Sequence, residues 1–186
     1  MADGWAADGY IALAPDVFWR QEPGCWLPYT DEGRTKARAL QGLLDTDQYM
    51  KDLGDIVAAL KARKDCTGKV GTIGFCLGGK LAYLASTRLP VDVAVSYYGV
   101  AIDQHLGEAD RRRCPLLMHF ASDDPHVPEA TVAAIRARLE GKSGVDIHVY
   151  PGTEHGFNRK GYPMFNEAAA TVARQRTLAL LRAALT

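Results

Sequence analysis

Lys69-Val70-Gly71-Thr72-Ile73-Gly74-Phe75-Cys76-Leu77-Gly78-Gly79 reads as a short apolar strand, a tight bend and the first turn of a helix. Within it, Gly74-Phe75-Cys76-Leu77-Gly78 fits the glycine-x-nucleophile-x-glycine pattern, with a thiol where serine is more usual. A strand that reverses sharply into a helix holds its central residue in a strained conformation, and side chains two positions to either side are expected to collide. The bend lifts the sulfur above the sheet edge and sets it at a helix N-terminus, whose partial positive charge favours a thiolate. Cys76 is therefore the candidate nucleophile. The competing reading is a small buried residue in a glycine-rich turn, because free cysteine packs like a modest hydrophobe.

Order along the chain weighs between these readings. The apolar run Pro115 to Phe120 opens into Ala121-Ser122-Asp123-Asp124-Pro125-His126-Val127-Pro128, and the run Val145 to Tyr150 opens into Pro151-Gly152-Thr153-Glu154-His155-Gly156-Phe157. A hydrolytic triad on an α/β sheet runs nucleophile, acid, histidine, each just past the end of a strand. His155 stands where the base should, and Asp123 and Asp124 compete for the acid; residue type does not separate them. His119 and His148 fall inside strands and read as core or face residues, while His105 and His126 fall on loops.

Periodicity supplies the frame around these motifs. Met1 to Asp8 resembles the tail of a helix ended by Gly9, Tyr10 to Ala14 a short strand, and Asp16 to Gly33 a long loop. Helices follow at Arg34 to Leu44 and from near Asp47, the second with Tyr49, Met50, Leu53, Ile56, Val57 and Leu60 at three- and four-residue spacing. Strands are expected at Val70 to Ile73, Val91 to Tyr97, Leu116 to Phe120 and Asp146 to Tyr150, with helices at Leu77 to Arg88, Glu129 to Glu140 and Asn166 to Leu185. This alternation implies an α/β fold with a mostly parallel sheet covered by helices on both faces. At 186 residues and 47% hydrophobic content the chain suits one domain, residues 1–186.

Lysine plus arginine total 22 and aspartate plus glutamate total 22, so no net field attracts nucleic acid or anionic lipid. Arg111-Arg112-Arg113 reads as a solvated turn before a strand. No apolar stretch approaches the roughly 18 residues that cross a membrane, and Met1-Ala2-Asp3-Gly4 is not a signal peptide, so a cytoplasmic location is expected. Cys25, Cys66, Cys76 and Cys114 form no Cys-x-x-Cys pair and no zinc-like spacing with histidine, so neither a metal nor a disulfide is expected. No cofactor is expected either, and the protein should be a monomer or weak homo-oligomer.

Five stretches together resemble the dienelactone hydrolases (carboxymethylenebutenolidases), which are α/β-hydrolases with a Cys-His-Asp triad. They are Gly9-Tyr10-Ile11-Ala12-Leu13-Ala14-Pro15-Asp16 with Arg20 after it, Gly74 to Gly79, Tyr97-Tyr98-Gly99-Val100, Asp124-Pro125-His126-Val127-Pro128, and Tyr150 to Phe157. The resemblance implies Cys76, His155 and Asp124 as the triad, the family's Asp-x-x-Val-Pro register selecting Asp124. It also implies the Leu77 N–H as an oxyanion donor, and small ester or lactone substrates whose carboxylate is held by a pair of arginines. Arg159, four residues after His155, can reach the same pocket, and Arg34 aligns with the second family arginine when counted back from Cys76. A solvated surface role competes for both, more strongly for Arg34. Tyr97, with Trp26 and Phe157, is a candidate aromatic wall, though core packing explains these nearly as well.

One departure stands out. In the family Gly9-Tyr10 onward matches the fourth strand, and no counterpart of the first three strands precedes it here. The loop after the third strand supplies the second oxyanion donor and a glutamate that holds the resting cysteine. Its loss is expected to cost about 2.7 to 4 kcal/mol of transition-state stabilisation and to bare an edge of the nucleophile strand. The chain is thus expected to be an α/β-hydrolase fold truncated at the N-terminus, with Met1 downstream of the true start. The implied activity is hydrolysis of small carboxylate-bearing enol lactones; the alternatives are a less selective carboxylesterase or thioesterase, or a catalytically impaired fragment.

Overall fold

Runs rich in β-branched and small apolar residues form four strands in the computed structural model, which describes residues 2–186. They are β1 (Gly71–Phe75), β2 (Val93–Tyr97), β3 (Leu116–Ala121) and β4 (Val145–Tyr150). They lie side by side in chain order and every pair is parallel. Every residue of β2 and β3 is buried, as expected of central strands covered on both faces. The crossovers are α4 (Leu77–Arg88), a 3-10 helix (Asp103–Arg111) and α5 (Glu129–Leu139), and α6 (Glu167–Leu185) follows β4. Asn166 caps α6, its side chain accepting from the Ala169 N–H at 3.0 Å.

Alternation along the strands assigns the faces. Tyr97 reaches Thr177 of α6, and a Cβ on Gly71 would lie 3.4 Å from Leu185, so odd-numbered residues of β1 and β2 face α6. A Cβ on Gly79 of α4 would lie 2.9 Å from the Ser96 hydroxyl, so Ser96 faces α4. The two helices therefore cover opposite faces of an α/β sheet.

The chain divides into two compact units, one up to Leu53 and one from Gly54 onward, and the whole sheet lies in the second. The first holds α1 (Ala2–Ala6), α2 (Asp31–Gly42) and the first turns of α3 (Thr46–Lys61). Its long loop is internally tied: Asp16 accepts from the Phe18 and Gly24 N–H groups at 3.0 and 2.8 Å. The Arg20 guanidinium grips Asp52 through two bonds of 2.7 and 2.8 Å. Helix α2 starts at Asp31, ahead of the expected Arg34, because Thr30 caps it by accepting from the Gly33 N–H at 3.1 Å. The 3-10 helix was not expected; its sequence is mostly polar and offers only Leu106 and Ala109 as apolar residues.

Tyr10–Ala14 is not a strand. No described residue forms a ladder with it, the Tyr10 N–H turns back to the Trp5 carbonyl at 3.3 Å, and Ile11 and Leu13 are 45% and 52% exposed. Apolar character makes a strand only where a neighbour accepts its hydrogen bonds. Among the described residues no helix is long and apolar enough to cross a membrane.

The two glycines flanking Cys76 turn out to be unequal. A Cβ on Gly74 would sit 1.7 Å from the Gly78 carbonyl oxygen, whereas one on Gly78 meets nothing within 4 Å. The expectation that both exclude side chains thus holds for Gly74 alone, because the collision is one-directional: α4 turns its Gly78 carbonyl onto β1. Gly74→Ala should cost at least about 3 kcal/mol of unfolding free energy. Gly78→Ala should leave stability unchanged or raise it by up to about 1 kcal/mol. Denaturant melts of the two variants check this contrast.

Candidate active site

Where β1 ends, the chain must reverse into α4 within one residue, and Cys76 takes up the strain with φ 55° and ψ −116°. Hydrogen bonds fix it from both sides. Its N–H donates to the Tyr97 carbonyl at 3.0 Å, and its carbonyl accepts from Gly79, Lys80 and Val100 at 2.9, 3.3 and 3.3 Å. The Val100 bond needs the α4 N-terminus to press against the loop after β2, where a Cβ on Gly79 would lie 2.7 Å from the Gly99 Cα. Cys76 is half-buried. Leu77 is the first residue of α4, so its N–H has no acceptor within the helix.

The acid and base stand on the loops after β3 and β4. Asp124 bonds His155 Nδ1 through Oδ2 at 2.7 Å, and its Oδ1 accepts from the His126 and Val127 N–H groups at 2.8 and 3.2 Å. These bonds compensate a carboxylate with 0% side-chain exposure. Asp123 is exposed and accepts from the Ser122 hydroxyl, so geometry brings Asp124, not its neighbour, to the histidine. His155 Nε2 is buried and has no hydrogen-bond partner among the described residues. Burial pushes the His155 pKa down, but the Asp124 hydrogen bond and the adjacent Cys76 outweigh it and raise the pKa to about 9.

Two rings flank the imidazole. Tyr98 and His126 each lie 4.7 Å from it between centroids, at 60° and 70°, and the Tyr98 hydroxyl donates to Asn158 Oδ1 at 2.5 Å. Tyr98 lies in the stretch Tyr97 to Val100 that carries the family resemblance but drew no role from the sequence, and Asn158 drew none either. Tyr98 is the first residue past β2, the kind of position that singled out the acid and the base, and it carries a positive φ of 38°.

The expected substrate contacts fare differently. Arg159 is half-buried, with its guanidinium 4.1 Å above the Tyr162 ring. Arg34, in the first turn of α2, pairs with Asp31 at 3.3 Å and its side chain is 60% exposed. Tyr97 belongs to the interior rather than to a substrate wall: it is 2% exposed and its hydroxyl bonds Thr177 at 2.7 Å. Strand alternation turns it onto the α6 face. Phe157 is also fully buried, against Tyr97, Tyr98 and Tyr150, while Trp26 is 80% exposed. Among the described residues no cluster of His, Cys, Asp or Glu could hold a metal ion.

A parallel sheet with a strained residue at a strand-to-helix bend, and loops from later strands bringing an acid to a histidine, defines a hydrolase of the α/β class. The chain belongs to the dienelactone hydrolase family, whose model matches residues 1–185. It is 37% identical over 184 residues to a provisionally described carboxymethylenebutenolidase of Azospirillum brasilense, covering 98% of this chain and 79% of that one. It is 32% identical over 179 residues to a carboxymethylenebutenolidase of Pseudomonas putida, covering 95% and 76%. A crystal structure from Klebsiella pneumoniae, provisionally described as a dienelactone hydrolase, superposes with a TM-score of 0.84 at 25% identity, covering 96% and 78%.

A histidine with a raised pKa stabilises the fold fully below its ordinary 6.5 and loses that contribution as pH rises through about 9. NMR titration of the His155 ring should give a midpoint near 9. Asp124→Asn should move that midpoint down towards 6.5, because it removes the largest of the raising influences.

Proposed function

We propose that this chain hydrolyses small carboxylate-bearing enol lactones and esters through a thioester on Cys76. One observation carries the reading: the His155 Nδ1 bond to a fully buried Asp124 at 2.7 Å, which leaves Nε2 for the cysteine at the bend. With its pKa raised to about 9, His155 holds a proton at neutral pH and serves first as an acid.

The thiolate sulfur of Cys76 attacks the carbonyl carbon, and the electron pair moves to the carbonyl oxygen, towards the Leu77 N–H. Collapse of that intermediate breaks the carbon–oxygen bond, and the proton on His155 Nε2 passes to the departing enolate. Neutral His155 then takes a proton from water, whose oxygen attacks the thioester. Cleavage of the carbon–sulfur bond returns the thiolate and the protonated imidazole. Throughout, Asp124 holds the ring in one tautomer and stabilises its charged form. An enolate is a good leaving group, so enol esters suit this order of events better than amides.

Arg159 is the proposed partner of the substrate carboxylate, through paired N–H donors. A less selective carboxylesterase or thioesterase is the second reading, favoured by the exposure of Arg34 and its pairing with Asp31. Cys76→Ala should lower kcat/KM for an activated ester by at least about a thousandfold. Loss of less than about tenfold would contradict the covalent route. Arg159→Ala should raise KM by about tenfold or more for a carboxylate-bearing enol lactone and leave a neutral ester unaffected. Equal effects on both substrates would favour the less selective enzyme. The rate of the wild type should also fall as pH rises through about 9, where His155 gives up its proton.

A further inference from the structure

Beneath the candidate site lies a buried polar network that the proposed chemistry does not use. His119 is 0% exposed; its Nδ1 meets the Tyr150 hydroxyl at 2.9 Å and its Nε2 meets the Thr177 hydroxyl at 3.1 Å. Thr177, also 0% exposed, bonds the Tyr97 hydroxyl at 2.7 Å. Arg176 donates to the Tyr150 hydroxyl at 3.0 Å. An arginine can only donate, so the Tyr150 proton is left to point at His119 Nδ1, which makes Nε2 the protonated nitrogen and directs it onto Thr177. Burial, with His148 and Arg176 nearby, pushes the His119 pKa down to about 3, so the ring is neutral as this chain of donors requires.

The side chains involved come from at or near the ends of three adjacent strands: Tyr97 and Tyr150 are the last residues of β2 and β4, and His119 is followed in β3 only by Phe120 and Ala121. Each of the same residues also uses its backbone carbonyl to hold the candidate site. The Tyr97 carbonyl accepts from the Cys76 N–H at 3.0 Å. The His119 carbonyl accepts from the N–H of Tyr98, whose ring lies against His155, at 2.6 Å. The Tyr150 carbonyl accepts from the Ser122 N–H at 3.1 Å and from the Thr153 hydroxyl at 2.8 Å. Ser122 and Thr153 stand two residues before Asp124 and His155.

We propose that Thr177 of α6 is a positioning residue for Cys76, Asp124 and His155, fixing the ends of β2 and β3 directly and of β4 through His119. It touches no reacting atom. Its hydroxyl ties α6 to Tyr97, whose carbonyl holds the Cys76 N–H at the end of β1, and to His119, which leads on to Tyr150 and the loops of acid and base, so a change there displaces nucleophile, acid and base relative to one another. Small misplacements of that kind lower the rate of the chemical step while leaving substrate binding nearly intact. The inference rests on the proposed triad for its link to catalysis, and on the hydrogen bonds alone for its link to His155.

Thr177→Val keeps the shape and removes the hydroxyl, and Thr177→Ser restores it. With an activated ester, Thr177→Val should lose about tenfold or more in kcat with KM changed by less than about twofold, and Thr177→Ser should stay within about twofold of the wild type. The His155 Nδ1 proton resonance, read by NMR in parallel, should shift or broaden in Thr177→Val and not in Thr177→Ser. Wild-type kcat in a folded Thr177→Val, or equal losses in both variants, overturns the proposal. If Thr177→Val does not fold, Tyr97→Phe decides, since it removes one hydroxyl and keeps the ring. A kcat loss of about threefold or more supports the proposal and an unchanged kcat overturns it. Should turnover survive in Cys76→Ala, the proposed triad fails by itself, and the His155 resonance alone then decides whether Thr177 positions the loop.

Discussion

A backbone bend that would relax if left to itself governs the candidate site. The positive φ of Cys76 stores on the order of 1–3 kcal/mol, and it persists because four hydrogen bonds to its own amide and carbonyl over-determine it. Those bonds depend in turn on close approach: Gly74 lets the Gly78 carbonyl rest against β1, and Gly79 lets α4 touch the loop at Gly99. The strain is thus held by packing of backbone on backbone, with the thiol left at the start of α4.

The second constraint is electrostatic. A buried imidazole would ordinarily lose its proton, and a buried carboxylate is costly unless donors surround it. Here each relieves the other. Asp124 is supplied with two N–H donors from its own loop and spends its remaining oxygen on His155. That single bond fixes the tautomer, orients the ring and, together with Cys76, keeps it charged near neutrality. The flanking Tyr98 and His126 rings restrict its rotation. A histidine so held has little freedom except at Nε2.

Much of this was legible in the sequence because it rests on local rules. The bend announces itself through Gly74-Phe75-Cys76-Leu77-Gly78, and Asp124 and His155 through strand ends followed by turn residues. What escaped depends on partners. Tyr10–Ala14 has the composition of a strand, yet composition does not say whether a neighbouring strand receives it. Asp123 and Asp124 differ only in which side chain turns inward. Tyr97 and Tyr98 differ by one step of alternation, which sends the first ring to α6 and leaves the second beside His155. Thr177 lies within a long helix with nothing in its neighbours to mark it, and its meaning emerges only where three strands meet one helix face.

The covalent step is the point on which the functional account turns. Rapid acid quench of the protein during turnover of an enol ester, followed by peptide mass spectrometry, reads it directly. The account predicts an acyl adduct on the peptide carrying Cys76 that forms and decays at the turnover rate. Turnover with no adduct on Cys76, or with the adduct on Cys25, Cys66 or Cys114, would contradict it.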